Sequence, residues 1–263
     1  MNNKKYYINY NDRSSNLKSN KKSFINQRTS ILEDLKISSK WTFDHSQRVA
    51  WLCNILARNF FLMNKNYKSI EKYSIKIATE AGLFHDLGKK CIEKDALDSN
   101  INLREEEKKI KNIQNKEELK IINDNIIKGE INRDKMEEHP KFTKKILEQY
   151  SYPYDYKCNN CKNDFPTICG DHHEKLHGKG YPNKKKKICI ITQIVSICDI
   201  YDALRSSRPY KPSKSHIETI KIMNLMAENG GLNKDLIKIL NDSYIPELWI
   251  YNFEKKLSLP YYT

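Results

Sequence analysis

Long apolar runs are missing from this chain. The longest, Ile188 to Cys198, is broken by Thr192, Gln193 and Ser196 and is too short to span a bilayer. No apolar segment follows the basic residues near the N-terminus, so no secretory signal is expected. Sustained period-two alternation is missing too, which argues against half-buried strands and for an all-α domain. A paired cysteine set is lacking. Seven cysteines is an odd count, and several sit inside apolar helical patterns, so a reduced cytoplasmic protein is a better reading than a disulfide scaffold.

Acids are outnumbered by bases, 33 to 47, for a formal charge of +14 across 263 residues. That balance favours anionic partners, from nucleotides to nucleic acid or acidic lipid, without choosing among them. Nine bases and three acids fall in residues 1–40, leaving +8 for the remainder. Aliphatic residues are scarce at this end. Residues 1–35 are expected to be a mobile basic tail, because so little apolar surface cannot offset the entropy of ordering. A solvated tail is favoured over a nucleic-acid arm. One domain is expected over 36–245, with no room upstream for a receiver or sensory domain, and 246–263 as a C-terminal tail.

Apolar residues recur at helical spacing as Val49, Leu52, Leu56 and Phe60, then as Ile70, Tyr73, Ile77, Ala81 and Phe84. Residues 98–135 are polar and charged and read as a surface insertion containing a solvated helix. His139-Pro140 suits a helix start, since proline is tolerated in the first turn. Residues 151–171 read as an irregular, cysteine-containing loop. Further helices are expected over 188–204, 216–228 (Ile217, Ile220, Met223, Met226) and 232–241.

What the chain does have is histidine in telling places. His172-His173-Glu174 opens a glycine-punctuated loop that closes in Gly180-Tyr181-Pro182. Imidazoles bind first-row metals, and carboxylates complete such shells. Asp199 and Asp202 lie on an otherwise apolar helix, where an unpaired buried carboxylate is costly. Five further segments accompany the double histidine in order: Thr42 to Ala50 around His45, His85-Asp86-Leu87-Gly88-Lys89, Glu138-His139-Pro140, Ile197 to Leu204, and Arg208-Pro209-Tyr210-Lys211. In order and spacing, residues 41 to about 240 resemble the HD-GYP family, a branch of the HD-domain metal phosphohydrolases.

That resemblance implies an HD-domain helical bundle around a di-metal site. The implied ligands are His45, His85, Asp86 and Asp199, joined by His139, His172 and His173, with Asp86 bridging two ions. Two metals ~3.5–4 Å apart can hold a bridging hydroxide and polarise a phosphoryl oxygen, which suits attack on a phosphodiester. Mixed nitrogen and oxygen ligation fits iron or manganese better than zinc. By the same resemblance Lys89 lies near the scissile phosphate, Arg208 and Lys211 grip substrate phosphates, and Gly180, Tyr181 and Pro182 border the pocket. The implied activity is hydrolysis of a cyclic dinucleotide, chiefly cyclic di-GMP, to the linear dinucleotide pGpG or to GMP. Another cyclic dinucleotide or nucleotide as substrate, or a silent nucleotide-sensing module, are the competing readings. A protein partner or a homodimer stays open.

Two departures matter. Members with a third metal carry a glutamate four residues before the first histidine; here Trp41 stands there, with Asp44 facing elsewhere, so two ions are expected. The spacing between the His-Asp doublet and His-Pro is about twice the family's. The resemblance leaves Cys158, Cys161 and Cys169 unexplained. With His177 they could hold a structural zinc, against the alternative of reduced, unmetallated thiols.

Overall fold

Two apolar stripes fix the centre of the molecule. In a computed structural model, residues 27–63, 71–92, 116–149, 163–207 and 212–243 are described. Every regular element among them is helical. Helix α1 covers 27–38 and α2 Lys40–Met63; α3 spans Glu71–Phe84 and runs into a 3-10 turn, Leu87–Cys91. Then follow α4 (Lys116–Glu137), α5 (His139–Glu148), α6 (Phe165–Gly170), α7 (Ile190–Arg205), α8 (His216–Glu228) and α9 (Lys234–Asp242).

The most extensive packing is between α2 and α3, with α7 laid across both. Val49, Leu52, Cys53 and Leu56 of α2, Ile77 and Ala81 of α3, and Ile191, Ile194, Val195 and Cys198 of α7 belong to one buried core. Full burial of a Leu or Ile side chain stabilises by roughly 1.5–3 kcal/mol, so these three helices carry much of the fold's stability. Around them, α5 packs on the 3-10 turn and on α6, while α8 and α9 pair against α7 and α9 also touches α2. Caps mark the ends. The Asp164 side chain accepts from Thr167 N at α6, Ser215 and Glu218 form a capping box at α8, and Asn233 caps α9.

Several expectations are corrected. Residues 27–35, expected in the tail, belong to helix α1, and Ile31 and Leu35 lie buried in the core. Ile31 and Leu35, one turn apart, with Leu32 packed beside them, dock the segment on the core. Residues 165–170, read as loop, form a short helix begun by the Asp164 cap and Pro166. On α8, Ile220 and Met223 face inward, but Ile217 is 66% exposed. The charged insertion does hold a helix, α4, whose Ile121, Ile127 and Ile131 face solvent. Residues 1–26, 98–115, 151–162 and 246–263 lie outside the described residues. No helix among the described residues is long and apolar enough to cross a membrane.

Candidate metal centre

The helix packing brings seven side chains to one place. His45 comes from α2, His85 and Asp86 from the end of α3, and His139 from the first residue of α5. His172 and His173 follow α6, and Asp199 sits midway along α7. All are buried except His173, whose side chain is one-fifth exposed. Their donor atoms form three overlapping groups, each within 4.8 Å: His45, His85 and Asp199; His139, His172 and His173; and His85, Asp86 and His172.

Gly88 explains how α5 comes so close to the His-Asp turn. A Cβ there would lie 2.0 Å from the His139 carbonyl oxygen and 2.5 Å from Thr143 N, so only glycine fits. The Thr143 hydroxyl then clamps the contact, accepting from Gly88 N at 2.8 Å and donating to the His85 carbonyl at 2.9 Å.

Each buried histidine is turned the same way. The Nδ1 of His85, His139 and His172 donates to the carbonyl three residues earlier, of Gly82, Met136 and Cys169, at 2.8, 2.6 and 2.7 Å. The Nδ1 of His45 donates to Asp202 Oδ2 at 2.6 Å. A carbonyl or carboxylate oxygen can only accept, so each Nδ1 carries a proton and Nε2 is the atom that faces the centre, free to ligate once any proton on it is displaced. Outer partners of this kind orient metal-ligating histidines. The consequence is electrostatic. His139 Nε2 and His172 Nε2 lie 3.2 Å apart, and His85 Nε2 is buried without a hydrogen-bond partner. A cation between these nitrogens would relieve both, so the residues fit a divalent metal.

Asp86 divides the set. Its Oδ1 lies 3.1 Å from His139 Nε2 and 3.8 Å from His172 Nε2, while its Oδ2 lies 3.5 Å from His45 Nε2 and 3.4 Å from His85 Nε2. Asp199 repeats the pattern, with Oδ1 3.1 Å from His45 Nε2 and Oδ2 3.9 Å from His173 Nδ1. Each carboxylate thus faces both ends of the cluster.

The charges follow from these contacts. Burial disfavours the Asp86 carboxylate, but Lys89, His85 and His139 outweigh it and hold its pKa well below the usual range. Asp199 is likewise held low against burial by His45, His85 and His173. Burial works against a charged His85, yet Asp86 and Asp199 push its pKa up to about 10 in the metal-free protein. For His172, burial and the neighbouring His85 and His139 act together and keep the ring neutral. His173 is kept neutral by burial and by His172.

The residues around the cluster sort clearly. Lys89 Nζ bonds Asp86 Oδ2 from the solvent side. The Tyr181 ring packs against His173 with centroids 4.6 Å apart. Gly180 passes so close to residues 173–175 that a Cβ would lie 2.4 Å from Lys175 N. The Glu174 carboxylate fastens the loop by accepting from Asn183 N and Lys185 N, and the Tyr181-Pro182 bond is cis. Trp41 stacks on His45, and Asp44 is held by Lys40 at 2.6 Å. Arg208 and Lys211 lie outside the described residues, as do Cys158 and Cys161.

Cys169 is a core thiol. It donates to Ala81 O, and burial raises its pKa, the reverse of what a zinc thiolate needs. His177 is exposed, its Nδ1 accepting from Lys179 N. Neither belongs to a metal-capable group among the described residues.

Asp202 and Arg48 received no role from the sequence. Asp202 is fully buried and accepts from His45, from Arg48 Nε and Nη2 at 2.8 and 3.0 Å, and from Ser206 Oγ. The signal was present in part, because Asp202 stands three residues after Asp199 on an apolar helix. Its partner Arg48 stands three residues after His45.

Residues 115–235 match a family model described as HD domain. That match takes in His139, His172, His173 and Asp199, while His45, His85 and Asp86 lie before it. A cyclic di-GMP phosphodiesterase of Pseudomonas aeruginosa is 27% identical over 191 residues, 72% of this chain and 36% of its own length. A 3'3'-cGAMP-specific phosphodiesterase of Vibrio cholerae is 27% identical over 187 residues, 70% of this chain and 32% of its own length. The chain therefore spans about a third of the length of these curated relatives. Among solved structures, the HD domain of the L. monocytogenes phosphodiesterase PgpH in complex with cyclic-di-AMP aligns with a TM-score of 0.47 and 15% identity. That alignment covers 89% of this chain and 98% of the other.

Proposed function

We propose that this chain, which carries an HD domain, hydrolyses a phosphodiester bond of a cyclic dinucleotide at a two-metal centre. The ligands are His45, His85, Asp86, His139, His172, His173 and Asp199. The observation that carries the reading is the division of Asp86, whose two oxygens face separate pairs of histidine Nε2 atoms. One carboxylate can then hold two ions side by side.

Iron or manganese suits this mixed nitrogen and oxygen set. Bound there, two such ions would supply Lewis acidity and an activated water for attack at phosphorus. The chain's own residues do the rest. Asp86 and Asp199 stay ionised and His172 and His173 stay neutral, so all four are ready to ligate at neutral pH. Lys89, beside Asp86 at the solvent side, stabilises charge developing on the phosphoryl oxygens. Arg208 and Lys211 hold the non-reacting phosphate, the guanidinium through paired N–H donors. Tyr181 and the Glu174-fastened loop border the substrate beside His173. In the reaction, water oxygen bonds to phosphorus as the ribose oxygen leaves and takes up a proton.

Cyclic di-GMP is the first candidate substrate, giving pGpG or GMP. The relative named for 3'3'-cGAMP favours a second candidate with the same backbone and one adenine. The free thiols Cys53, Cys169, Cys189 and Cys198 agree with a reducing cytoplasmic setting. The test is a panel. Metal-loaded protein is incubated with cyclic di-GMP, 3'3'-cGAMP and cyclic di-AMP, with and without chelator, and the products are separated by chromatography. Chelator-sensitive hydrolysis of cyclic di-GMP is expected. Fully loaded protein that turns over none of the three contradicts the reading and leaves a silent module in its place.

A further inference from the structure

We propose that the lysine-rich loop after Tyr181 is an electrostatic guide that draws an anionic substrate to the His173 end of the metal centre. The inference rests on the hydrolase reading for its natural substrate, though its test needs no turnover. Residues 171–187 carry six lysines and two acids. Both acids are buried and already engaged. Asp171 accepts from Lys185 Nζ at 2.8 and 2.6 Å through its two oxygens, and Glu174 accepts from the backbone of the loop. Lys175 is half-buried and donates to Ser196 Oγ at 3.1 Å. Lys179, Lys184, Lys186 and Lys187 are exposed, and none of the four enters an ion pair among the described residues. The charge that this segment shows to solvent is therefore positive.

The loop is fixed in place. The Glu174 carboxylate grips Asn183 N at 2.6 Å and Lys185 N at 2.8 Å, one on each side of Lys184. Between these anchors Lys184 takes a φ of 56°, in the left-handed region that a lysine rarely adopts. Such backbone persists only where its surroundings over-determine it, and it clusters at functional sites. Glu174 directly follows His173, and the Tyr181 ring lies 4.6 Å from the His173 ring. Three residues of chain, at most roughly 11 Å, take Lys184 away from Tyr181. That reach is comparable with the Debye length of about 8 Å at physiological salt, so these charges are only partly screened at the site. A cyclic dinucleotide carries a negative charge on each of its phosphodiesters. Charges of one sign lining a site raise the association rate of such a ligand by about 10–1000-fold, and the gain falls steeply with ionic strength.

A lysine run that only solvates the surface would be equally exposed, so the experiment turns on rate and salt. Association of a ribose-labelled fluorescent cyclic di-GMP is followed by stopped flow, from low salt to about 1 M. The proteins are metal-loaded wild type, Lys184→Asn, Lys184→Arg and the triple variant Lys184→Asn/Lys186→Gln/Lys187→Gln. Asparagine tolerates the left-handed backbone, so charge is removed without added strain. Metal content is recorded beside the rates. The triple variant should associate about tenfold more slowly at low salt with its metal retained. The difference should vanish near 1 M, where the Debye length falls to about 3 Å. Lys184→Arg should match wild type, and Lys184→Asn should lie between. Equal low-salt rates, a slowing that persists at high salt, or metal lost from the triple variant overturns the guide. So does loss of binding to anionic vesicles or single-stranded RNA with the nucleotide rate unchanged, which would mark a macromolecular surface instead. Lysine-dependent, salt-steep association by a protein that turns over no cyclic dinucleotide would support the guide and defeat the hydrolase reading. Turnover with salt-independent association would do the opposite.

Discussion

His45 Nδ1 donates to Asp202 Oδ2 at 2.6 Å, and the same carboxylate is gripped by Arg48 through two further bonds. The contact ties α2 to α7 beneath the metal centre and turns the His45 Nε2 toward Asp86 and Asp199. Burial opposes the Asp202 charge, and His45 and Arg48 overcome it, so the group stays ionised. One buried carboxylate thus sets a ligand's tautomer and joins two core helices.

Asp202→Asn keeps the shape and removes the charge. It should lower metal affinity about 10–100-fold, as loss of a partner behind a ligating histidine does. It should also destabilise the fold by up to about 3–5 kcal/mol, because the buried Arg48 loses its counter-charge. Metal titration with thermal unfolding checks both; unchanged affinity would show that His45 is oriented by something else.

Gly88→Ala should be among the most damaging single-methyl changes. The added Cβ meets backbone atoms of α5, not the tip of a flexible side chain. Overpacking of this kind costs about 1–3 kcal/mol or more, and here it also displaces His139. A variant that unfolds at the wild-type temperature and keeps its metal would refute the close-approach account.

The sequence carried the site better than its surroundings. The seven ligand candidates were legible because metal-binding residue types recurred in five of six ordered segments, and the structure brings all seven together. The helices of the core were legible from their apolar period. What the pattern could not carry was pairing across the fold. Arg48 and Asp202 stand 154 residues apart, and nothing local to either names the other. The packing of Ile31 and Leu35 was hidden because they close a stretch, 1–35, whose average composition is that of a tail. Cys169 was grouped with Cys158 and Cys161 by spacing, yet the short helix α6 turns it into the core.

The metal-free protein should be most stable near pH 6.5. His172 and His173 have folded pKa values well below the ordinary 6.5, so their contribution is present above 6.5 and lost as pH falls toward the folded value. His85 is raised to about 10, so its contribution is full below 6.5 and is lost as pH climbs through about 10. Each group changes stability by at most about 1.4 kcal/mol per pH unit. Denaturant unfolding of chelator-stripped protein across about pH 5–9 checks the sign. A steady rise toward alkaline pH would contradict the His85 contribution.

Arg208→Ala and Lys211→Ala should raise KM for the cyclic dinucleotide and leave metal content alone. Each removes a charge-assisted phosphate contact worth roughly 1.5–3 kcal/mol. Steady-state kinetics beside metal analysis gives the answer; metal loss in either variant would make that residue structural.

The count of ions per chain tests the central claim most directly. Metal analysis of anaerobically purified wild type should return two divalent ions per chain, with Asp86→Ala losing both, because one carboxylate faces both histidine pairs. A single ion in wild type, or two ions retained in Asp86→Ala, would contradict a centre bridged by Asp86.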